Sequence, residues 1–238
     1  MDREQIKQRH THYTVSIIGG FLGGYAIINF YELFANAQTA NMIHLVEKLI
    51  DREYAGLIYI LASMLTYMAG NVFCVLYRKF VRDNLRVISL ALDLAAITAV
   101  GIITEFTDIS FALLPILFVM PIQWNAFSND AGYISSTIFS TNNLRQATMS
   151  LTSYFTDKDK SQLYKTRFYW STLLYFHIGV AFVCASSIFY GVHSIWLGYI
   201  PVVLASAVYC RQCELITKLR VKKSRRNHRQ NNDTFKSA

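Results

Sequence analysis

Six runs of about twenty mostly apolar residues follow one another along the chain: Val15–Phe34, Ala55–Tyr77, Val87–Phe106, Ile109–Phe127, Phe168–Tyr190 and Val192–Cys213. About 20 helical residues cross the roughly 30 Å hydrocarbon layer of a bilayer. Inside that layer backbone polar groups must bond within the segment, which favours helices. The 238 residues are 53% hydrophobic and 16% charged, against roughly a quarter charged in soluble domains. A soluble helical protein would need a charged face on each of these helices, and the runs carry none. The expectation is an all-α membrane protein with six transmembrane helices. One polytopic domain covers 1–220, and a basic, disordered cytoplasmic tail covers 221–238. The lead MDREQIKQRHTHYT is short and charged, and no small-residue cleavage site follows the first run, so that run is expected to stay in the membrane.

The net charge of +8 invites a nucleic-acid reading, but its distribution argues for topology. Three Lys or Arg precede span one, two separate spans one and two, and four separate two and three. None lies between three and four, five lie between four and five, and nine run from Arg211 onward. Alternate segments therefore hold 21 of the 23. By the positive-inside rule both termini are cytoplasmic, in the plasma (cytoplasmic) membrane, with the lipid bilayer as partner and no nucleic acid. In the tail segment KLRVKKSRRNHRQ each basic residue near an anionic surface is worth about 1 kcal/mol.

Cys74 and Cys184 fall inside spans and read as small packing residues, while Cys210 and Cys213 form a CxxC without a second ligand pair. No metal and no cofactor are expected. Neither HExxH, GxSxG, a P-loop nor a dinucleotide turn occurs, so the chain is not expected to be an enzyme.

The stretch FANAQTANMIHL follows span one, and IFSTNNLRQ follows span four. Aligned at an offset of 102, they pair Thr39 with Thr141, Asn41 with Asn143 and Met42 with Leu144. Gly70 and Cys74 find a looser echo in Gly179 and Cys184. The chain thus divides into repeat 1, about 12–106, and repeat 2, about 107–215. A unit that crosses three times ends on the far side, so its copy must be inverted. Such inverted repeats are a transporter architecture, with sites where broken helices meet. Each cluster precedes apolar positions at helical spacing: Met42, Leu45, Val46, Leu49 and Ile50 in one, Leu144, Thr148, Leu151 and Phe155 in the other. Broken or half-helix segments are expected after spans one and four, with Thr39 and Thr141 as N-caps. Span one also carries GGFLGG, two overlapping GxxxG pairs suited to close helix packing or to a homo-oligomer. Span four carries Pro115 and Pro121, which invite a bend.

These residues resemble the YoaK-like family of bacterial six-span membrane proteins, a family of unknown function sometimes grouped with permeases. The resemblance runs from about His12 to Arg220. It is carried by Gly20, Gly24, the segment Phe34 to Asn41 and the Gly70-Asn71 pair. In the second half its carriers are Gln123, Phe127, Gly132, Thr141, Asn143, Leu144 and Arg145. The family usually shows Thr-Gly-Asn at both clusters; here the middle residue is Ala40 or Asn142. What the resemblance implies is topology, without a substrate.

The functional expectation is a permease or channel moving a small polar or anionic solute or ion between the repeats. Its binding residues are Thr39, Asn41, Gln123, Thr141, Asn143 and Arg145. Asp93, seven residues from Arg86 within span three, is the candidate coupling-ion site. Asn29, Asn71, Asn125 and His177 are further polar residues within or at the ends of spans. The alternative is a non-transporting membrane module that binds a lipid or a partner protein. A reporter active only in the cytoplasm should be active when fused after Ala238, and one fused between Glu105 and Ile109 should be silent; the reverse pattern would reject this topology.

Overall fold

Where the apolar runs are uninterrupted, the chain forms long helices. The computed structural model describes residues 3–30, 33–81, 84–106, 109–129, 132–215 and 217; the expected tail 221–238 lies outside them. All the regular elements among the described residues are helical: α1 Arg3–Asn29, α2 Gln38–Ile50, α3 Tyr54–Phe80, α4 Leu85–Phe106, α5 Leu114–Phe127, α6 Thr141–Asp157, α7 Lys160–Tyr190 and α8 over 199–215. A 3-10 helix, Ile109–Leu113, leads into α5, and another, Gly191–Gly198, joins α7 to α8. Among the described residues three stretches are long and apolar enough to cross a membrane: Tyr54–Phe80, Leu85–Phe106 and Lys160–Leu215, the last containing the 3-10 turn.

Runs one and four behave differently. The first apolar run reaches Phe34, but α1 stops at Asn29. Helix α5 has 14 residues, about 21 Å of length at 1.5 Å per residue. Pro115 sits in its first turn, where the absent N–H costs no helix bond. Pro121 lies inside the helix, and its ring covers Gly70 of α3. The expected threonine caps are not used: the N-cap residues are Ala37 and Ser140, and neither side chain caps its helix. Thr39 and Thr141 fall within the first turns.

Glycines set the main crossings. Helix α1 packs chiefly on α7, and α3 on α5. A Cβ on Gly20 would stand 1.9 Å from the Phe176 carbonyl oxygen, and one on Gly179 would stand 2.1 Å from that of Ile17, so backbones touch from both sides of the α1–α7 crossing. At the α3–α5 crossing a Cβ on Gly70 would stand 2.3 Å from the Phe118 carbonyl oxygen. Both glycines read as an echo in the sequence therefore meet a carbonyl on the first helix of the opposite half. Their cysteine neighbours differ, since Cys74 is buried and Cys184 exposed.

Both short helices fold back on the helix that follows, α2 on α3 and α6 on α7. Each turn holds a basic residue in left-handed conformation, Arg52 (φ 59°) or Lys158 (φ 56°), followed by an acidic N-cap, Glu53 or Asp159. The Asp159 carboxylate accepts from the Ser161 hydroxyl and backbone N–H, which hold it below the usual carboxylate range. The apolar stripe of α2 faces outward, with Met42, Val46, Leu49 and Ile50 exposed. Outward residues elsewhere are equally apolar, Ile188 and Phe189 being 79% exposed. Such contiguous apolar surface fits contact with lipid rather than water.

Replacing Gly20 or Gly179 by Ala should lower the melting temperature of the detergent-purified protein. The added methyl meets backbone, an overpacking defect of about 1–3 kcal/mol. Gly56→Ala, which meets only the flexible ends of Lys48 and Glu53, should change stability little.

Candidate functional site: two buried connectors

Parts of the segments that follow α1 and α5 are non-helical yet buried. Leu33, Ala35 and Asn36 are buried in the first, as are Ser135, Ser136, Thr137 and Ile138 in the second. Backbone N–H and C=O groups there have no helical partner, and an unpaired buried one costs about 1–3 kcal/mol. One asparagine meets this need in each connector. Asn41 Oδ1 accepts from the Phe34 N–H at 3.0 Å and its Nδ2 donates to the Phe34 carbonyl at 3.0 Å. Asn143 Oδ1 accepts from the Ser136 N–H at 3.2 Å and its Nδ2 donates to the Ser136 carbonyl at 2.6 Å. Each side chain thus grips a residue seven positions earlier by both backbone groups, and Phe34 and Ser136 stand in the same 102-residue register as the asparagines. A carboxamide does this because it offers donor and acceptor from one planar group.

The connectors also touch each other. Asn36 Nδ2 donates to the Ile138 carbonyl at 2.6 Å. The other glycine pair of α1 makes room for both: a Cβ on Gly19 would stand 2.0 Å from the Thr137 carbonyl oxygen, and one on Gly23 would stand 2.2 Å from Asn36 Nδ2. Gly19 and Gly23 flank the middle of the apolar part of α1. The GGFLGG motif therefore serves two faces, Gly20 and Gly24 packing on α7 and Gly19 and Gly23 on the connectors. All four are occupied within the chain.

Around this meeting point lies a buried polar shell. His12 Nδ1 donates to the Phe127 carbonyl at 3.1 Å, and its Nε2 lies 3.0 Å from Ser135 Oγ, which donates to Asn143 Oδ1 at 2.8 Å. Gln123, fully buried on α5, donates from Nε2 to the Val15 carbonyl (3.3 Å) and to Thr137 Oγ1 (3.0 Å), while its Oε1 has no partner. Gln38 Nε2 and Ser140 Oγ are buried and unpartnered as well. These two residues again stand 102 positions apart, just ahead of the two asparagines.

The other candidates are dispersed. Thr39 is exposed on an apolar groove along α2 beside Met42, Val46 and Ile50, and Thr141 and Arg145 are exposed at the start of α6. Asp93 is fully buried on α4 with neither carboxyl oxygen hydrogen-bonded. Asn125 Nδ2 donates to Asn71 Oδ1 at 3.1 Å, Asn29 returns to the Tyr25 carbonyl, and His177 Nδ1 donates to the Leu173 carbonyl. Arg78 and Arg86 donate to the Asn125 and Ala126 carbonyls at the C-terminus of α5, where cations complement the helix dipole.

Sequence reading passed over His12, Asn36, Gln38, Ser89 and Ser140. The offset that pairs Asn41 with Asn143 could have found Gln38 and Ser140. Asn36 aligns with Ile138, whose backbone rather than side chain is the partner, so no residue pattern marks it.

A family model described as a protein of unknown function, DUF1275, matches residues 11–209. The chain belongs to the DUF1275 family. No curated protein and no solved structure matches it. The matched region of this DUF1275 chain takes in both connectors, both glycine crossings and Asp93, and leaves out the basic tail. The family description carries no activity, so function rests on the geometry above.

Asn143→Ala removes partners from both backbone groups of Ser136 and from Ser135, and should destabilise the fold by about 2–4 kcal/mol from two or more buried groups left unpaired. Asn41→Ala should cost less, because Phe34 is only half-buried. Thermal or denaturant unfolding of the two variants checks the order.

Proposed function

We propose that this DUF1275 protein is a six-span permease of the cytoplasmic membrane for a small polar solute, built from two inverted three-span halves with both termini in the cytoplasm. The observation that carries the reading is the contact between the two buried connectors beside Gly19 and Gly23. Non-helical backbone at membrane depth is tolerated where protein buries it or a solute path needs it, and transporter sites form where such interruptions from two halves meet. The inverted arrangement is supported by the 102-residue register of the asparagine clamps, by the exchange of helices between halves (α1 on α7, α3 on α5) and by the matched turns at Arg52 and Lys158.

In this reading Asn41 and Asn143 hold the connectors open to each other, and the solute is met by the polar atoms left uncommitted: Gln123 Oε1, Gln38 Nε2 and Ser140 Oγ. They offer an acceptor, a donor and a hydroxyl, which suits a neutral or zwitterionic molecule with several hydrogen-bonding groups. Thr39, Thr141 and Arg145 would serve its approach from the exposed starts of α2 and α6, Arg145 favouring an anionic group.

The test is a thermal-shift screen of the purified protein against polar metabolites, followed by flux of any hit into proteoliposomes. A hit should move through wild-type protein and bind up to about tenfold more weakly to Gln123→Leu, the worth of one neutral hydrogen bond. Stabilisation unchanged by Gln123→Leu, Gln38→Leu and Ser140→Ala would remove the site. Hits that bind without flux would leave a membrane-bound binding module instead.

A further inference from the structure

Asp93 and Ser89 stand one turn apart on the inward face of α4, beside the core residues Leu90 and Ile97. Asp93 is 0% and Ser89 1% exposed, and none of their three side-chain oxygens has a hydrogen-bond partner among the described residues. Helical hydroxyls usually return to the carbonyl one turn back. Ser63, Thr66, Thr98 and Thr172 do so here at 2.8–2.9 Å. The Ser89 hydroxyl is turned away from that bond. A buried carboxylate without partners is too costly to stay bare, so something positive must occupy it.

We propose that Asp93 is a proton-binding site, its carboxylate taking up and releasing one proton by making and breaking a single O–H bond, with the Ser89 hydroxyl as its polar neighbour. A metal cation fits poorly. Hard cations gather about six or more oxygens, and membrane coupling-ion sites draw theirs from unwound helices. Helix α4 runs unbroken from Leu85 to Phe106, so its carbonyls near Asp93 are committed. No group of three or more His, Cys, Asp or Glu suited to a metal occurs among the described residues.

Nor does a fixed cation among the described residues neutralise it. Arg86 is the cation of α4, two turns away, and its guanidinium donates to the Ala126 carbonyl. Helix α5 and the 3-10 helix Ile109–Leu113 carry no titratable side chain. His193, on the second 3-10 helix, pairs with Glu105 at the far end of α4. From α8, Tyr199 is bonded to Thr98 and Tyr209 to Asn84. Helix α3 faces α4 with neutral groups, Tyr77 and Cys74, while its Arg78 donates to the Asn125 carbonyl. A proton is the remaining occupant. This deepens the transport reading by naming the coupled ion, yet Asp93 would bind it whether or not a solute moves.

Infrared difference spectroscopy of the full-length protein in nanodiscs, without any solute, tests it. A protonated-carboxyl band should be present at neutral pH, disappear reversibly on alkaline titration, and be lost in Asp93→Asn. Ser89→Ala should shift its frequency. Exchanging choline for sodium or potassium should leave it unchanged. Isotope-labelled aspartate in wild-type protein makes the assignment should Asp93→Asn fail to fold. Absence of an aspartic-acid band at neutral pH, or its loss on adding sodium or potassium, would overturn the proposal. Neither result bears on flux through the connectors, so failure here and failure of the permease reading are distinguishable.

Discussion

Buried backbone that is not helical must find hydrogen bonds, and the rest of this structure is arranged around that need. At Phe34 and at Ser136 the chain has left a helix without leaving the protein interior. Two asparagine carboxamides supply the missing partners, each closing on an N–H and a C=O of one residue. Had the chain lacked them, both connectors would have to move to a surface where water could solvate the backbone. The asparagines belong to the helices that follow, so the same side chain that stabilises the break also fixes where the next helix begins.

Once the connectors are inside, space has to be found for them, and α1 provides it. Its four glycines divide between two faces one residue apart. One face lets the α7 backbone approach and the other lets the connectors reach the middle of the helix. A helix with side chains at these positions would hold its neighbours several ångströms further off, beyond the reach of the Asn36 to Ile138 hydrogen bond. Close packing and polar contact are therefore one feature. The exchange of partners between halves, α1 with α7 and α3 with α5, ties the two breaks to one centre.

Polar groups in this interior fall into two kinds. Asn41, Asn143, Asn36 and His12 hydrogen-bond to backbone or to neighbouring side chains. Asp93, Ser89, Gln38, Ser140 and one end of Gln123 retain buried atoms without partners. The unpartnered atoms of the second kind cost stability and return none of it through hydrogen bonds. They also occur at two separate places, the connectors and the α4 face.

Much of the architecture was legible in the residues themselves. Hydrophobic run lengths located α3, α4 and the apolar part of α7, because the hydrocarbon thickness sets a length that composition alone can meet. The offset of 102 located both breaks, because each needs the same carboxamide at the same distance from the helix start. Residue patterns could not tell which polar groups would be spent. Asn41 reads in the sequence as a solute ligand, and its carboxamide closes on the Phe34 backbone; Thr39 and Thr141 read as caps and are exposed first-turn residues. Tertiary structure decided this, because a hydrogen bond between residues 36 and 138, or its absence at residue 93, depends on which helices cross and how closely. That closeness follows from backbone contacts at Gly19, Gly20, Gly70 and Gly179, and a glycine in a sequence does not say which helix will come to meet it.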